Sequence, residues 1–181
     1  LLRDQTGHDF SGYKMSTINP SIERRMTVYR IDTMDGYLKH LQHNPKEMAA
    51  LFGDILVGVT GFFRDPETFN TLEKLIIPKL FAGKPEGTAI RVWVPGCSTG
   101  EEAYSIAILL QEHLDTLKES YTVQVFATDI NSKAIGLARA GTYPASIGAD
   151  ITAERLARFF TAEPEEKAYL VRKSIRDLIV F

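Results

Sequence analysis

Between residues 90 and 141 the chain reads as strand, glycine turn, helix, strand, helix, and that order leaves few folds open. Residues 90–94 (IRVWV) form a short, almost wholly apolar run, the pattern of a strand buried on both faces of a sheet. The turn PGCSTG at 95–100 follows, then an amphipathic helix in EEAYSIAILLQEHLDTL. A second strand at 123–127 runs up to Asp129, and a second helix, NSKAIGLARAG, closes on Gly141 as its C′ glycine. Strand, helix, strand in this order implies parallel neighbours joined by a right-handed crossover, so an α/β fold is predicted. Open sheets of this kind bind ligands beyond the carboxyl ends of their strands, which is where PGCSTG and Asp129 fall.

The flanks read differently. Residues 1–57 are helical in pattern. In NPSIERRMTVYRI, Ile22, Met26, Tyr29 and Ile31 recur at helical spacing, with Asn19 or Ser21 as cap and Pro20 in the first turn. The opposite face carries Arg24, Arg25 and Arg30; from Lys14 to Arg30 there are four basic residues and one acid, a local net charge of +3. TMDGYLKHLQ and PKEMAALFGDILVG, the latter opened by Asn44-Pro45, add two more helices and suggest a small bundle. Asp65-Pro66 opens a further helix that Pro78 interrupts or ends. Beyond Gly141, TAERLARFF reads as a helix, and YLVRKSI and LIVF as a hairpin turning at Arg176-Asp177. The chain therefore divides into a helical domain, 1–57, and an α/β domain, 58–181.

Composition narrows the function. With 181 residues, 44% hydrophobic, and 21 basic against 23 acidic residues, the chain is neither disordered nor a bulk nucleic-acid binder. No apolar run approaches the ~18 residues of a membrane span, and LLRDQTGHDF has no signal-peptide core, so a cytoplasmic protein is expected. The single cysteine, Cys97, excludes an intramolecular disulfide and a cysteine-based zinc cluster, and reads as a small apolar filler. His8, His40, His43 and His113 show no ligand spacing, so no metal is expected. A chain that starts without Met and ends on an apolar run, IRDLIVF, reads as a piece of something longer with the C-terminal strands of its sheet missing. An unfinished apolar edge invites a second copy, hence a homodimer expectation.

The turn at 95–100 carries the chemistry. Gly96 permits a sharp exit from the strand and Gly100 a close backbone approach to a ligand. Ser98 or Thr99 can cap the helix, each with a glutamate three residues on, Glu101 and Glu102. A phosphate loop would need a lysine, and a dinucleotide turn G-x-G-x-x-G; the spacing here is G-x-x-x-G. Two acids would repel a pyrophosphate but suit a cation such as S-adenosyl-L-methionine, which carries a sulfonium and an ammonium. Asp129 can accept both ribose hydroxyls. Equally, the two acids serve simply to favour the positive end of a helix.

VTGFFRDPETF, VWVPGCSTGEEAYSIA and VFATDINSKAIGLARAGTYP follow one another as in a known family, and FSGYKMSTI, IERRM, TAERLARFF and YLVRKSIRDLIVF agree. From about residue 12 to 181 the sequence resembles the CheR-type methyltransferases of bacterial chemotaxis. The resemblance implies a small helical domain followed by part of a Rossmann-like methyltransferase sheet. It implies an S-adenosyl-L-methionine-dependent protein-glutamate O-methyltransferase, releasing S-adenosyl-L-homocysteine and acting on cytoplasmic helices of chemotaxis receptors. By the same resemblance Thr60 and Arg64 line the donor site, Gly96 and Glu101 belong to its first loop, and Asp129 is the ribose carboxylate. Gly58 stands where the enterobacterial form resembles an asparagine. DFSGYK and PGCSTGEEAYS look closest to versions fused to a CheB-type methylesterase and sensory modules. The family continues with an Asn-Leu loop and an Arg-Asn…Tyr segment not found in these residues.

A receptor glutamate is already a carboxylate at neutral pH, so transfer needs placement rather than a base. Arg64 is the catalytic candidate, its guanidinium fork holding that carboxylate; a salt bridge to Asp65 is the competing reading. Arg24, Arg25 and Arg30 are candidates for docking an acidic receptor helix, against a merely solvated basic face. Phe62 and Phe63 read as core rather than substrate-stacking residues, and Tyr104 and Tyr143 as core, with a place flanking the donor pocket as the competing reading. The competing function is a non-catalytic donor- or receptor-binding module of a multidomain signalling protein; a nucleotide-dependent oxidoreductase is disfavoured by the two acids and the glycine pattern.

Overall fold

The computed structural model describes residues 1–7, 9–56, 58, 60–118 and 120–181; His8, Val57 and Val59 of the segments read above lie outside the described residues. Two compact units emerge, Leu1–Val57 and Gly58–Phe181.

The first unit holds α1 (Leu2–Thr6), α2 (Met15–Tyr29), α3 (Met34–His43) and α4 (Pro45–Ile55). Local chemistry sets the last two starts: the Thr33 hydroxyl accepts from Gly36 N–H, and the Asn44 side chain from Glu47 N–H with Pro45 beside it. The start of α2 departs from expectation. It begins at Met15, so neither Asn19 nor Ser21 caps it and Pro20 lies inside, forgoing one backbone bond. The apolar side of α2 is largely the expected one: Ile22, Met26 and Ile31 pack against the core beside buried Ile18 and Ser21. Tyr29 alone of the expected stripe is exposed, and the Ser21 hydroxyl donates to Asp54 O at 2.7 Å.

The basic face is divided. Arg24 and Arg30 are exposed, but Arg25 turns toward Glu47, which is 1% exposed in a core of Ile18, Tyr37, Leu41, Met48, Leu51 and Ile55. Arg25 Nε donates to Glu47 Oε1 at 2.8 Å, a terminal guanidinium nitrogen to Oε2, and Tyr37 OH donates to Oε1 at 2.7 Å. A carboxylate out of water must be neutralised and bonded, and α2 supplies the cation. Arg25 is therefore a structural ion-pair partner rather than part of an exposed face.

The second unit begins with a helical run: α5 (Pro66–Thr71), a π-turn at Leu72–Ile76, and α6 (Ile77–Phe81). Pro78 neither ends nor breaks it. Proline has no N–H and crowds the carbonyl four residues back, and the widened turn absorbs this, with Ile77 N–H reaching Leu72 O. β1 (Ala89–Pro95), α7 (Glu101–Leu114), β2 (Thr122–Thr128) and α8 (Ser132–Ala140) follow as predicted in order. β1 and β2 pair in parallel, with Val94 opposite Ala127. Ala103, Ala107, Ile108 and Leu110 of α7 are wholly buried. The α8 ends are local: Asn131 accepts from Lys133 and Ala134 N–H, and Gly141 stops the helix at φ 65°.

Two expectations are corrected. β1 is not buried on both faces: Ile90 and Val94 are inside, whereas Arg91 is exposed and Trp93 is 66% exposed. The core packs on the face of β1 that carries Ile90 and Val94, and the face that carries Arg91 and Trp93 is left open. Nor do YLVRKSI and LIVF form a hairpin. After β3 (Thr142–Pro144), a 3-10 turn and α9 (Ala153–Phe159), the hairpin is β4 (Phe160–Glu163) with β5 (Ala168–Val171), turning through Pro164–Lys167. β3 joins β5 on its other side. The short helix α10 (Lys173–Arg176) then carries the chain back, and β6 (Ile179–Val180) pairs in parallel with β2. Pro164 and the charged residues after it supply the turn, while Arg176-Asp177 closes α10 instead.

The buried ion pair sets a prediction for the first unit. Burial alone would raise the Glu47 carboxyl, but bonds from Arg25, Tyr37 and Tyr29 outweigh it and hold it below the ordinary value. A carboxyl depressed on folding contributes stability above its unfolded pKa of about 4.3 and loses it as pH falls further. Glu47→Ala, which leaves Arg25 unpaired, should destabilise this unit by about 3–5 kcal/mol and remove that acid sensitivity, read by urea unfolding at pH 7 and pH 4.

Candidate functional site

The carboxyl ends of β1 and β2 meet at one carboxylate. Asp129 Oδ2 accepts the Ser98 N–H at 2.8 Å, and Oδ1 accepts the Asn131 N–H at 2.7 Å. One side chain thus ties the loop after β1 to the loop after β2. Cys97 N–H donates to Thr128 O at 3.0 Å, extending the ladder by one step before the strands part. Each Asp129 oxygen retains a lone pair for a ligand.

The loop is wound by alternate left-handed residues: Gly96 at φ 68°, Ser98 at 49° and Gly100 at 96°. Gly96 faces open space; a Cβ there would meet nothing within 4 Å. Gly100 is packed. A Cβ on it would come within 2.9 Å of Ala138 Cβ and 3.1 Å of Tyr143 OH. The expected serine or threonine cap does not form, because Gly100 itself is the cap residue and Ser98 is turned away with its N–H on Asp129. The Thr99 hydroxyl donates instead to the Glu101 carboxylate, at 2.6 and 2.9 Å to its two oxygens. Below the loop, Tyr143 OH donates to Thr99 O at 2.6 Å and Tyr104 OH to Ala138 O at 2.8 Å.

Electrostatically the loop is acidic. Burial pushes the Cys97 thiol up to about 11, and the charges of Asp129, Glu101 and Glu102 push the same way. At 2% exposure and in that field Cys97 is a neutral filler. Among the described residues no group of three His, Cys, Asp or Glu could hold a metal ion, and no helix is long and apolar enough to cross a membrane.

The third part is the turn through residues 60–65. Thr60 is half-buried and Arg64 exposed. Phe62 is buried between Tyr143 and Phe160, ring centroids at 4.9 and 5.4 Å. Phe63 N–H donates to Ser105 Oγ at 3.0 Å, and that hydroxyl donates to Glu101 O at 2.7 Å. The turn carrying Arg64 is thereby tied to the first turn of α7. Gly58 lies against the loop, since a Cβ on it would stand 2.4 Å from Ser98 Oγ. Gly58 thus has no room for an asparagine while Ser98 keeps this position. Ser105 is the support that sequence reasoning missed; a serine inside the apolar run AYSIA was the available signal.

Residues 1–56 match the family model described as the CheR methyltransferase all-alpha domain, and residues 58–181 match the CheR methyltransferase SAM binding domain. The chain belongs to the CheR methyltransferase family. Its donor is therefore S-adenosyl-L-methionine, and the residues fit that group: an acid with spare lone pairs at the end of β2, an open glycine at 96, and a negative field for a cation. Among relatives, an uncharacterized 104.1 kDa protein of Rhodobacter capsulatus is 39% identical over 173 residues, 96% of this chain and 18% of that protein. Chemotaxis protein methyltransferase 2 of Pseudomonas aeruginosa is 31% identical over 179 residues, covering 97% and 61%. The chemotaxis protein methyltransferase of Salmonella typhimurium is 29% identical over 185 residues, covering 100% and 61%. The chain thus spans between 18% and 61% of the length of these relatives.

The two loop glycines separate conformational strain from packing. Gly96→Ala should cost only the left-handed backbone, about 1–2 kcal/mol. Gly100→Ala adds overpacking against Ala138 and Tyr143, about 1–3 kcal/mol more. Thermal unfolding of the two variants should rank them in that order, and a larger loss at Gly96 would contradict the packing.

Proposed function

We propose that the CheR-family chain forms the donor-binding part of a protein-glutamate O-methyltransferase acting on chemotaxis receptors. The observation that carries the reading is the Asp129 carboxylate, which joins both strand ends and keeps a free lone pair on each oxygen for the ribose hydroxyls. Gly96 gives the donor a close approach to backbone, and Glu101 places a negative charge beside it for the ammonium or sulfonium. Thr60 and Arg64 close the other side. S-adenosyl-L-methionine supplies an electrophilic methyl on a sulfonium.

The substrate carboxylate needs no base, because it is ionised at pH 7. Arg64 holds it, two N–H donors to two oxygens, so that one oxygen stands in line behind the methyl carbon. Alignment of this kind is worth about 7–11 kcal/mol in favourable intramolecular cases. A C–O bond forms as the C–S bond breaks, and the sulfonium charge and the carboxylate charge disappear together. The acidic loop suits the cationic sulfonium better than the uncharged thioether, which favours exchange of product for fresh donor.

Receptor helices carrying the target glutamates dock, in this reading, on the exposed Arg24 and Arg30 of the helical unit; Arg25 is committed to Glu47. Cytoplasmic receptor helices as substrate place the activity in the cytosol. Fused methylesterase and sensory domains would belong to the longer protein.

Calorimetric titration with S-adenosyl-L-homocysteine tests the donor site. Saturable binding is expected, and Asp129→Ala should abolish it. With receptor fragments and the full-length enzyme, Arg64→Ala should lower kcat about a hundredfold. Binding without any methyl-ester formation would favour a regulatory module instead. Reversal to glutamate at Arg24 and Arg30 should raise KM for receptor and leave donor affinity unchanged; weakened donor binding would sink the docking assignment.

A further inference from the structure

Arg64 sits between two left-handed residues, Phe63 at φ 48° and Asp65 at φ 58°. Non-glycine residues keep such backbones only where their surroundings over-determine them. Part of that support is core: Phe62 lies in the aromatic cluster and the Phe63 N–H is held by Ser105. The rest is ionic. The Phe63 ring packs edge-on to Phe69, centroids 5.5 Å apart, and the guanidinium of Arg155 lies 4.6 Å from its centroid.

Arg155 is an unusual residue for its place. It lies in the first turn of α9, where the helix dipole disfavours a cation, yet its side chain is only 18% exposed. Two carboxylates fix its plane. Arg155 Nε donates to Glu112 Oε1 at 2.9 Å, and a terminal nitrogen donates to Glu112 Oε2 at 2.7 Å and Glu73 Oε2 at 3.1 Å. Glu112 comes from α7 and Glu73 from the π-turn, so the clamp draws on three elements while leaving a flat face for Phe63. Only a guanidinium bonds along its edge and stacks on its face at once. Arg158, one turn further along α9, supplies an internal comparison: it also reaches α7's end, at Asp115, but its guanidinium lies over Phe159, 4.9 Å from the centroid, and not over Phe63.

We propose that Arg155, clamped by Glu112 and Glu73, is a positioning residue that holds the Phe63 turn and thereby sets where Arg64 stands. The inference rests on the donor-site reading of Thr60 and Arg64, and it goes beyond that reading by making a distant salt-bridge cluster part of the machinery. Arg155 acts through Phe63 and is assigned no contact with donor or acceptor.

The test uses the 181-residue chain with Arg155→Gln, Glu112→Gln and Arg158→Gln. Amide exchange at Phe63 and Arg64, measured by NMR against Val94 and Val125 as core references, should rise about tenfold in Arg155→Gln. Glu112→Gln should give a smaller rise, and Arg158→Gln none. The dissociation constant for S-adenosyl-L-homocysteine should rise about tenfold in Arg155→Gln, by less in Glu112→Gln, and not in Arg158→Gln. Unchanged exchange at Phe63, or equal effects of Arg155→Gln and Arg158→Gln, would overturn the proposal and leave Arg155 a plain link between helices. A loosened turn with unchanged affinity would also overturn it. Should Arg155→Gln fail to fold, Glu112→Gln carries the same comparison. If the unaltered chain binds no S-adenosyl-L-homocysteine, the donor-site reading fails, and the exchange measurements still decide whether the clamp exists.

Discussion

The α/β unit depends on the bonds that Asp129 makes with the backbones of Ser98 and Asn131. Where two parallel strands part, each sends its chain away to a helix and leaves N–H groups without ladder partners. A carboxylate placed there meets two of them, and the bonds are charge-assisted. Fixing Ser98 in a left-handed conformation carries Gly100 to the start of α7 and brings Glu101 into the loop. The same carboxylate keeps acceptor capacity toward solvent. Structural support and ligand recognition are thus functions of one group, and a change there affects both.

Three non-glycine residues near it hold positive φ: Ser98 in the loop bonded to Asp129, and Phe63 and Asp65 on either side of Arg64. Their support comes from buried groups: Ser105 beneath Phe63, Tyr143 beneath Thr99, and Phe62 in the aromatic cluster. A densely packed base under a wound loop is the arrangement by which a rigid scaffold holds functional backbone in otherwise unfavourable conformations.

The helical unit is organised by a different constraint. Glu47 is buried, so Arg25 and Tyr37 must accompany it, and α2 must turn that face inward. This leaves Arg24 and Arg30 as the exposed cations among the three arginines first read together. Charge counted along a helix says how many cations are present. Burial says which of them are available.

Much was legible in the sequence because its causes are local. The order of β1, α7, β2 and α8, the caps at Thr33 and Asn44, and the Gly141 stop each follow from residues within a few positions of one another. So did the family, through GEEAYS, FFRDP and the Asp129 segment, and with it the donor. What the sequence could not settle were matters of long-range partnership. The exposure of Trp93 depends on which face of β1 the core packs against. The true hairpin, β4 with β5, depends on which apolar run could pair beside β3 and which beside β2. The fate of Arg25 depends on a glutamate 22 residues away. The Ser98 cap was displaced by Asp129, 31 residues on. Periodicity and capping act through near neighbours, and so are written in order along the chain. Burial, ion pairing and strand edges arise only when distant segments compete for the same water-free space, and that competition is resolved in three dimensions.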